Sequence, residues 1–233
     1  MKRYLSVLAF MALVATAMAA TPASGDEHTE MCGPPGEEVP ATIVGSGLIK
    51  GTPGDDVIVG SAARDRIFGF GGNDIICGEG GNDLLNGGAD DDLLIGDGGD
   101  LPPFAPSNGD NDDTLIGGPG DDTLIGLGGD DNMMGGNGTD FMIGFGGNDI
   151  MRGGPGDDVM FGGPLDDKMF GDAGNDTMVG NFGSDRIFGG GGNDVIDGDP
   201  PFGVEPPFPP GGNDDYCVGG PGANELLNCE TAI

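Results

Sequence analysis

The sequence predicts an all-β repeat fold, and three observations predict it. A nine-residue period begins at Gly51 and runs into the C-terminal region. Within that period one column is aspartate and another is apolar, and the two stay in register along the chain. Glycine supplies 52 of the 233 residues while tryptophan is absent, so there is little material for a conventional aromatic core. A fixed short period marks a stacked, quasi-one-dimensional architecture.

Charge narrows the class. The chain has 40 acidic and 8 basic residues, a formal net charge of −32. Totals alone fit either an acidic disordered chain or a fold that needs cations to exist. Two columns kept in register decide for the second, because random acidic sequence would not hold them. The balance argues against nucleic acid, whose phosphates need Lys and Arg, and against an anionic membrane surface. The partner that clustered carboxylates imply is a hard cation with oxygen-only ligands, Ca²⁺ or Mg²⁺.

Residues 1–20 read as a secretory signal peptide. Lys2 and Arg3 precede the short apolar run from Leu5 to Val14, and Ala17-Met18-Ala19 offers small residues for cleavage. That run is too short for a comfortable bilayer span, and no later segment suits one. An N-terminal segment, 21–41, leads into a repeat body over 42–230, with loop insertions near 97–110 and 199–212. Four cysteines fit an oxidising destination. They admit three pairings, of which Cys32–Cys77 and Cys217–Cys229 is the expected one. His28 is the sole histidine, so no zinc site is expected.

The units read GTPGDDVIV, GSAARDRIF, GFGGNDIIC, GEGGNDLLN and GGADDDLLI from Gly51. They resume at Gly117 with GGPGDDTLI and continue to GGGGNDVID. The sixth and sixteenth units, ending at Ile116 and Val218, are each split by a Pro-rich insertion, and GGPGANELL is a degraded last unit. Seventeen units result. Position six is Asp in all but the last, which has Asn224, and position eight is apolar from Ile58 to Leu226.

This pattern resembles the hemolysin-type calcium-binding repeat (RTX) family, whose motif is GGxGxDxUx. The resemblance covers residues 51 to 230. It implies a right-handed parallel β-roll in which two units complete an 18-residue coil and calcium ions sit between successive turns along both edges. Glycines at positions one, two and four are expected to allow positive φ and close approach. Asn or Asp at position five, as in Asn73, Asn82, Asp121 and Asn148, tolerates turns. A strand of about three residues follows position six, with position eight facing the core.

Position six supplies the anionic ligands. Alternation puts Asp56, Asp74, Asp92, Asp122, Asp140, Asp158, Asp176 and Asp194 on one edge. Asp83, Asp113, Asp131, Asp149, Asp167, Asp185 and Asp215 fall on the other. Asp65 also belongs to that second edge, but Ala63 and Arg64 spoil its turn and it is left out of the metal set. Leu165, Asn111, Asn213 and Asn224 also depart from the motif, so the regular stretch is Gly117 to Asp197. Without a cation each edge is a ladder of like charges, and the calcium-free chain is expected to be largely unfolded.

Six consecutive eighth positions are methionine, from Met133 to Met178. They read as core filling rather than a soft-metal column. The two insertions interrupt even-numbered units, so both are expected to leave the same edge. No nucleophile has a base partner, and the chain is expected not to be an enzyme. The resulting expectation is a secreted, non-catalytic calcium-binding protein with a structural, surface or matrix role. The alternative is an accessory module or remnant of an RTX enzyme, toxin or adhesin.

Overall fold

The computed structural model describes residues 31–32, 39–97, 111–198, 215–229 and 231–232. The proposed signal peptide lies outside them. The chain winds as a parallel β-roll of two ten-stranded sheets. The first sheet runs from Ile43–Val44 through Val57–Ser61 and Thr123–Gly128 to Glu225–Leu227. The second runs from Leu48–Lys50 through Arg66–Gly71 and Asn132–Asn137 to Thr231–Ala232. Successive units alternate between the sheets, so each strand pairs in parallel with the strand two units away. Thr123 thus faces Phe141, and Lys168 faces Arg186.

Position eight forms the interior. Ile58, Ile67, Ile76, Leu85, Leu94, Leu115 and Leu124 are fully buried, and so are all six methionines from Met133 to Met178. Between the two sheets this single file is the core, and two smaller buried clusters, around Val59, Cys77 and Ile125 and around Ile143, Phe161 and Val179, lie on the other side of the first sheet. The methionines fill the file, as the sequence indicates. Each such side chain contributes on the order of 1.5–3 kcal/mol through burial.

The strands are longer than the expected three residues. Most span six, such as Thr114–Pro119 and Ile150–Pro155, because the glycine pair that opens the next unit continues the extended path. The turn glycines also divide their work differently from expectation. Positions two and four take positive φ, as in Gly154 and Gly156 at 115° and 148°. Position one does not. A Cβ at Gly117 would meet the Asp122 carboxylate at 2.3 Å and the Gly135 carbonyl at 2.6 Å. Close approach, rather than backbone handedness, therefore demands glycine there.

Where a turn lacks glycine, strain remains. Leu165 occupies position four at φ 83° with its side chain 56% exposed. A left-handed non-glycine residue costs on the order of 1–3 kcal/mol.

Disulfides close Cys32 to Cys77 and Cys217 to Cys229. The first ties the short antiparallel pair Met31–Cys32 and Val39–Pro40 to the outside of the first sheet. Both insertions join a first-sheet strand to a second-sheet strand, Leu93–Asp97 to Thr114–Pro119 and Val195–Asp197 to Tyr216–Val218. They interrupt the same edge, five coils or roughly 24 Å apart. The loops themselves lie outside the described residues.

Two substitutions test this packing in calcium. Leu165→Gly should raise stability by about 1 kcal/mol, seen as a higher thermal midpoint. Met151→Ala should lower it by about 2–5 kcal/mol in urea denaturation. A neutral Met151→Ala would show that the single-file core is not tightly packed.

Candidate metal-binding edges

Each edge is built from the sixth-position aspartates, and their geometry follows from the coil. An 18-residue coil brings the same position of alternate units into register one strand apart. The backbone N–H of each Asp then donates to Oδ1 of the Asp on the next coil. Along one edge Asp56 donates to Asp74 (2.9 Å), Asp74 to Asp92 (2.9 Å), Asp122 to Asp140 (2.9 Å) and Asp158 to Asp176 (2.9 Å). That series ends with Asp194 donating to Asn224 Oδ1 at 2.8 Å. Along the other, Asp113 donates to Asp131 (2.8 Å), Asp131 to Asp149 (2.9 Å), Asp149 to Asp167 (2.8 Å) and Asp185 to Asp215 (2.9 Å). The backbone closes the link, since Ile150 N–H returns to the Asp131 carbonyl at 2.8 Å.

All fifteen candidate aspartates stand on the expected edges. The insertions leave the ladders unbroken: Asp83 reaches Asp113, and Asp92 reaches Asp122, across 30 residues instead of 18. Asp65, left out of the metal set, also joins, donating to Asp83 at 2.7 Å.

The second carboxylate oxygen carries the chemistry. Oδ2 of Asp74, Asp83, Asp92, Asp113, Asp122, Asp131, Asp140, Asp149, Asp158, Asp167, Asp176 and Asp194 is buried without a hydrogen-bond partner. A buried anionic oxygen with nothing to meet costs several kcal/mol unless it is neutralised. Asp56 and Asp65 differ. Thr52 N–H donates to Asp56 Oδ2 at 2.6 Å, and Ser61 N–H and Oγ donate to Asp65 Oδ2 at 2.7 and 2.9 Å. The first two turns are thus closed by hydrogen bonds. Asp65, left out of the metal set for Ala63 and Arg64, and Asp56, kept in it, are alike in having Oδ2 already engaged.

Burial sets the acidity. It pushes the Asp131 carboxyl up to about 10, with the neighbouring Asp149 adding to the effect. Asp167 rises to about 10 for the same two reasons. Burial raises Asp113 to about 8, and Asp83, Asp92, Asp149 and Asp158 to about 7. Asp74, Asp122, Asp140 and Asp176 rise to about 6. Charged, these groups repel. Unit charges ~4.8 Å apart at an effective dielectric of ~20 cost about 3.5 kcal/mol per adjacent pair. Each coil adds one such pair per edge, more than its two core side chains return.

A cation fits this donor set. Among the described residues no three carboxylate, imidazole or thiolate side chains converge on one point, so backbone carbonyls must complete any shell. The turns supply them in files. The Gly120 carbonyl lies 1.8 Å from where a Cβ on Gly138 would sit, and that of Gly138 lies 1.5 Å from the same point on Gly156. Hard oxygen donors, carboxylate and carbonyl, suit Ca²⁺.

Comparison with known families agrees. The model of the RTX calcium-binding nonapeptide repeat matches residues 50–85, 78–100, 107–142, 143–178 and 170–200, more than half of the chain. The chain belongs to that family. No curated protein matches it. It is an RTX calcium-binding β-roll repeat domain, in which Oδ2 of the ladder aspartates and the turn carbonyls would hold calcium. Calcium supplies the positive charge that the stacked carboxylates lack.

Position five holds a role that the motif alone did not reveal. Its side chain accepts from the N–H of position five on the following coil: Thr139 donates to Asp121 (2.7 Å), Asn148 to Asp130 (2.8 Å) and Asn175 to Asp157 (2.7 Å). This exposed ladder runs counter to the buried one. The signal for it was the recurrence of Asp or Asn every 18 residues at that position, read only as turn tolerance.

The raised acidities predict an inverted pH dependence without calcium. The folded carboxyls bind protons more tightly than the unfolded ones, so between about 4 and the raised values the folded state carries more protons. Stability in chelator is therefore fullest below about pH 4 and falls as pH climbs through 6 to 10. Circular dichroism in EGTA across that window should show the β signal fade with rising pH, and Asp131→Asn should retain more of it near neutrality. A β signal that grows with pH in chelator contradicts this.

Proposed function

We propose that this RTX β-roll is a secreted, non-catalytic structural protein of the cell surface or matrix, with calcium as its folding cofactor. The observation that carries the reading is the uniformity of the two edges. From Ile43 onward the described residues form one roll, and its buried unsatisfied oxygens repeat along each edge rather than gathering in one cleft. A catalytic site needs a few groups with distinct environments, whereas a periodic array of equivalent sites suits a calcium-stiffened rod.

Secretion is supported by the signal-like residues 1–20 and by two disulfides, which persist in oxidising compartments. Extracellular calcium is abundant, so weak sites suffice. A site filled at ten times its dissociation constant contributes about 1.4 kcal/mol, and several together rival the net stability of a domain.

Expression in the native host tests this. The protein should appear outside the cell with its N-terminus near Ala20 or Thr21, and EGTA washing should release it from the cell surface. The purified protein should hydrolyse neither peptide nor ester substrates. A cytosolic protein beginning at Met1, or calcium-dependent hydrolysis, would refute the proposal.

A further inference from the structure

The core file changes its chemistry part-way along the roll. From Ile58 to Leu124 its side chains are branched aliphatics, and so are Ile187 and Ile196 further on. Between them every position is methionine. In the second sheet Met133 pairs with Met151 and Met151 with Met169, and in the first Met142 pairs with Met160 and Met160 with Met178. Three successive coils thus hold methionine at both interior positions, and all six side chains are 0% exposed. Met134, next to Met133 in sequence, is only half-buried and lines a shallow surface groove.

The fold does not call for this choice. Leucine and isoleucine fill the same position in the coils on either side. Methionine loses more side-chain freedom on burial than either of them, and it suits a strand less well than β-branched isoleucine. What it has and they lack is a thioether, which peroxide converts to a polar sulfoxide. All four cysteines are tied in disulfides, so no thiol competes for the oxidant.

We propose that the methionine file is a redox latch gated by calcium. With the coils held together, the file is sealed between the sheets and peroxide does not reach it. When calcium is withdrawn and the coils separate, each thioether takes one oxygen. A sulfur lone pair attacks one peroxide oxygen and the O–O bond breaks. The second oxygen leaves as hydroxide and collects the proton of the first to become water. Sulfur is oxidised by two electrons and peroxide is reduced by two. Refolding must then bury a strong acceptor in a file that offers it only apolar neighbours, an unsatisfied polar group in each oxidised unit. Because each coil contacts only its neighbours, three oxidised coils part the roll in its most regular stretch, even when calcium returns. The chain stays open until the sulfoxides are reduced. The inference rests on calcium as the folding cofactor and adds an oxidant as the signal it makes legible.

The test treats the mature chain with hydrogen peroxide and reads each methionine by peptide mass spectrometry. In calcium Met134 should be oxidised while the six file methionines are spared, whereas in EGTA near neutral pH all should react alike. After peroxide is removed and calcium restored, the EGTA-treated chain should need about tenfold more calcium to recover half its circular dichroism signal than a chain carried through EGTA alone. Methionine sulfoxide reductase should reverse that shift. The variant Met133→Leu/Met142→Leu/Met151→Leu/Met160→Leu/Met169→Leu/Met178→Leu should recover as if never oxidised. If it does not fold before treatment, Met151→Leu/Met160→Leu/Met169→Leu carries the comparison and should recover at less calcium than treated wild type. File methionines that react in calcium as fast as Met134, treated wild type that recovers at the untreated calcium concentration, or folded leucine variants that recover no better than wild type would each overturn the proposal. A parallel arm adds peroxide to chain unfolded by urea in calcium. A β signal that survives EGTA would show that calcium is not the gate and would sink the calcium reading itself, and recovery from urea then decides by itself whether oxidation blocks the roll.

Discussion

The whole roll depends on one carboxylate used twice. From Asp74 to Asp176 the edge aspartates each give Oδ1 to the backbone of a neighbouring coil and leave Oδ2 inside with no hydrogen-bond partner, as Asp149 and Asp167 do. The first contact sets the register of the coils. The second makes that register unaffordable for the protein alone, because the same packing that aligns the strands aligns their charges. A cation at the edges resolves both requirements. Hydrophobic burial, a single file of position-eight side chains between the sheets and two smaller clusters around Val59 and Ile143 on the first sheet, does nothing to neutralise those charges.

This division explains the distribution of side chains. The interior takes one apolar residue per unit, so Ile, Leu and Met follow one another with little consequence for the path of the chain. The turns are intolerant: first-position glycine lies against the carboxylate and the next coil's carbonyl, and fourth-position glycine lies against the carbonyl of the coil before. Substitutions are therefore concentrated at outward positions, and there the two sheets have diverged into one apolar face and one basic, aromatic face. Because each coil contacts only its neighbours, stability builds up by nearest-neighbour terms. The 12-residue offsets in the ladder show how insertions leave the roll intact: they enlarge a turn without shifting the register on either side.

The repeat made most of the fold legible. Asp at position six and an apolar residue at position eight were enough to place Asp131 against Asp149 and Met133 against Met151, since an 18-residue coil follows from two nine-residue units. Other features were not legible, for identifiable reasons. Glycine at position one looks like any turn glycine in sequence, and only the three-dimensional contact with Asp122 distinguishes it. The 18-residue coil also sets Asp121 against Thr139, but not that the Asp121 carboxylate would accept from the Thr139 N–H. Asp56 carries the full motif, yet Thr52 following Gly51 lets a backbone N–H reach its Oδ2, a local turn that no column statistic exposes.

The most direct test of this account is small-angle scattering of the mature protein near neutral pH, with calcium and after exhaustive EGTA treatment. An elongated compact rod that expands to a disordered chain on chelation, and recovers when calcium is restored, is the predicted result. A rod of unchanged dimensions in EGTA would contradict the claim that cations at the aspartate edges hold the coils together.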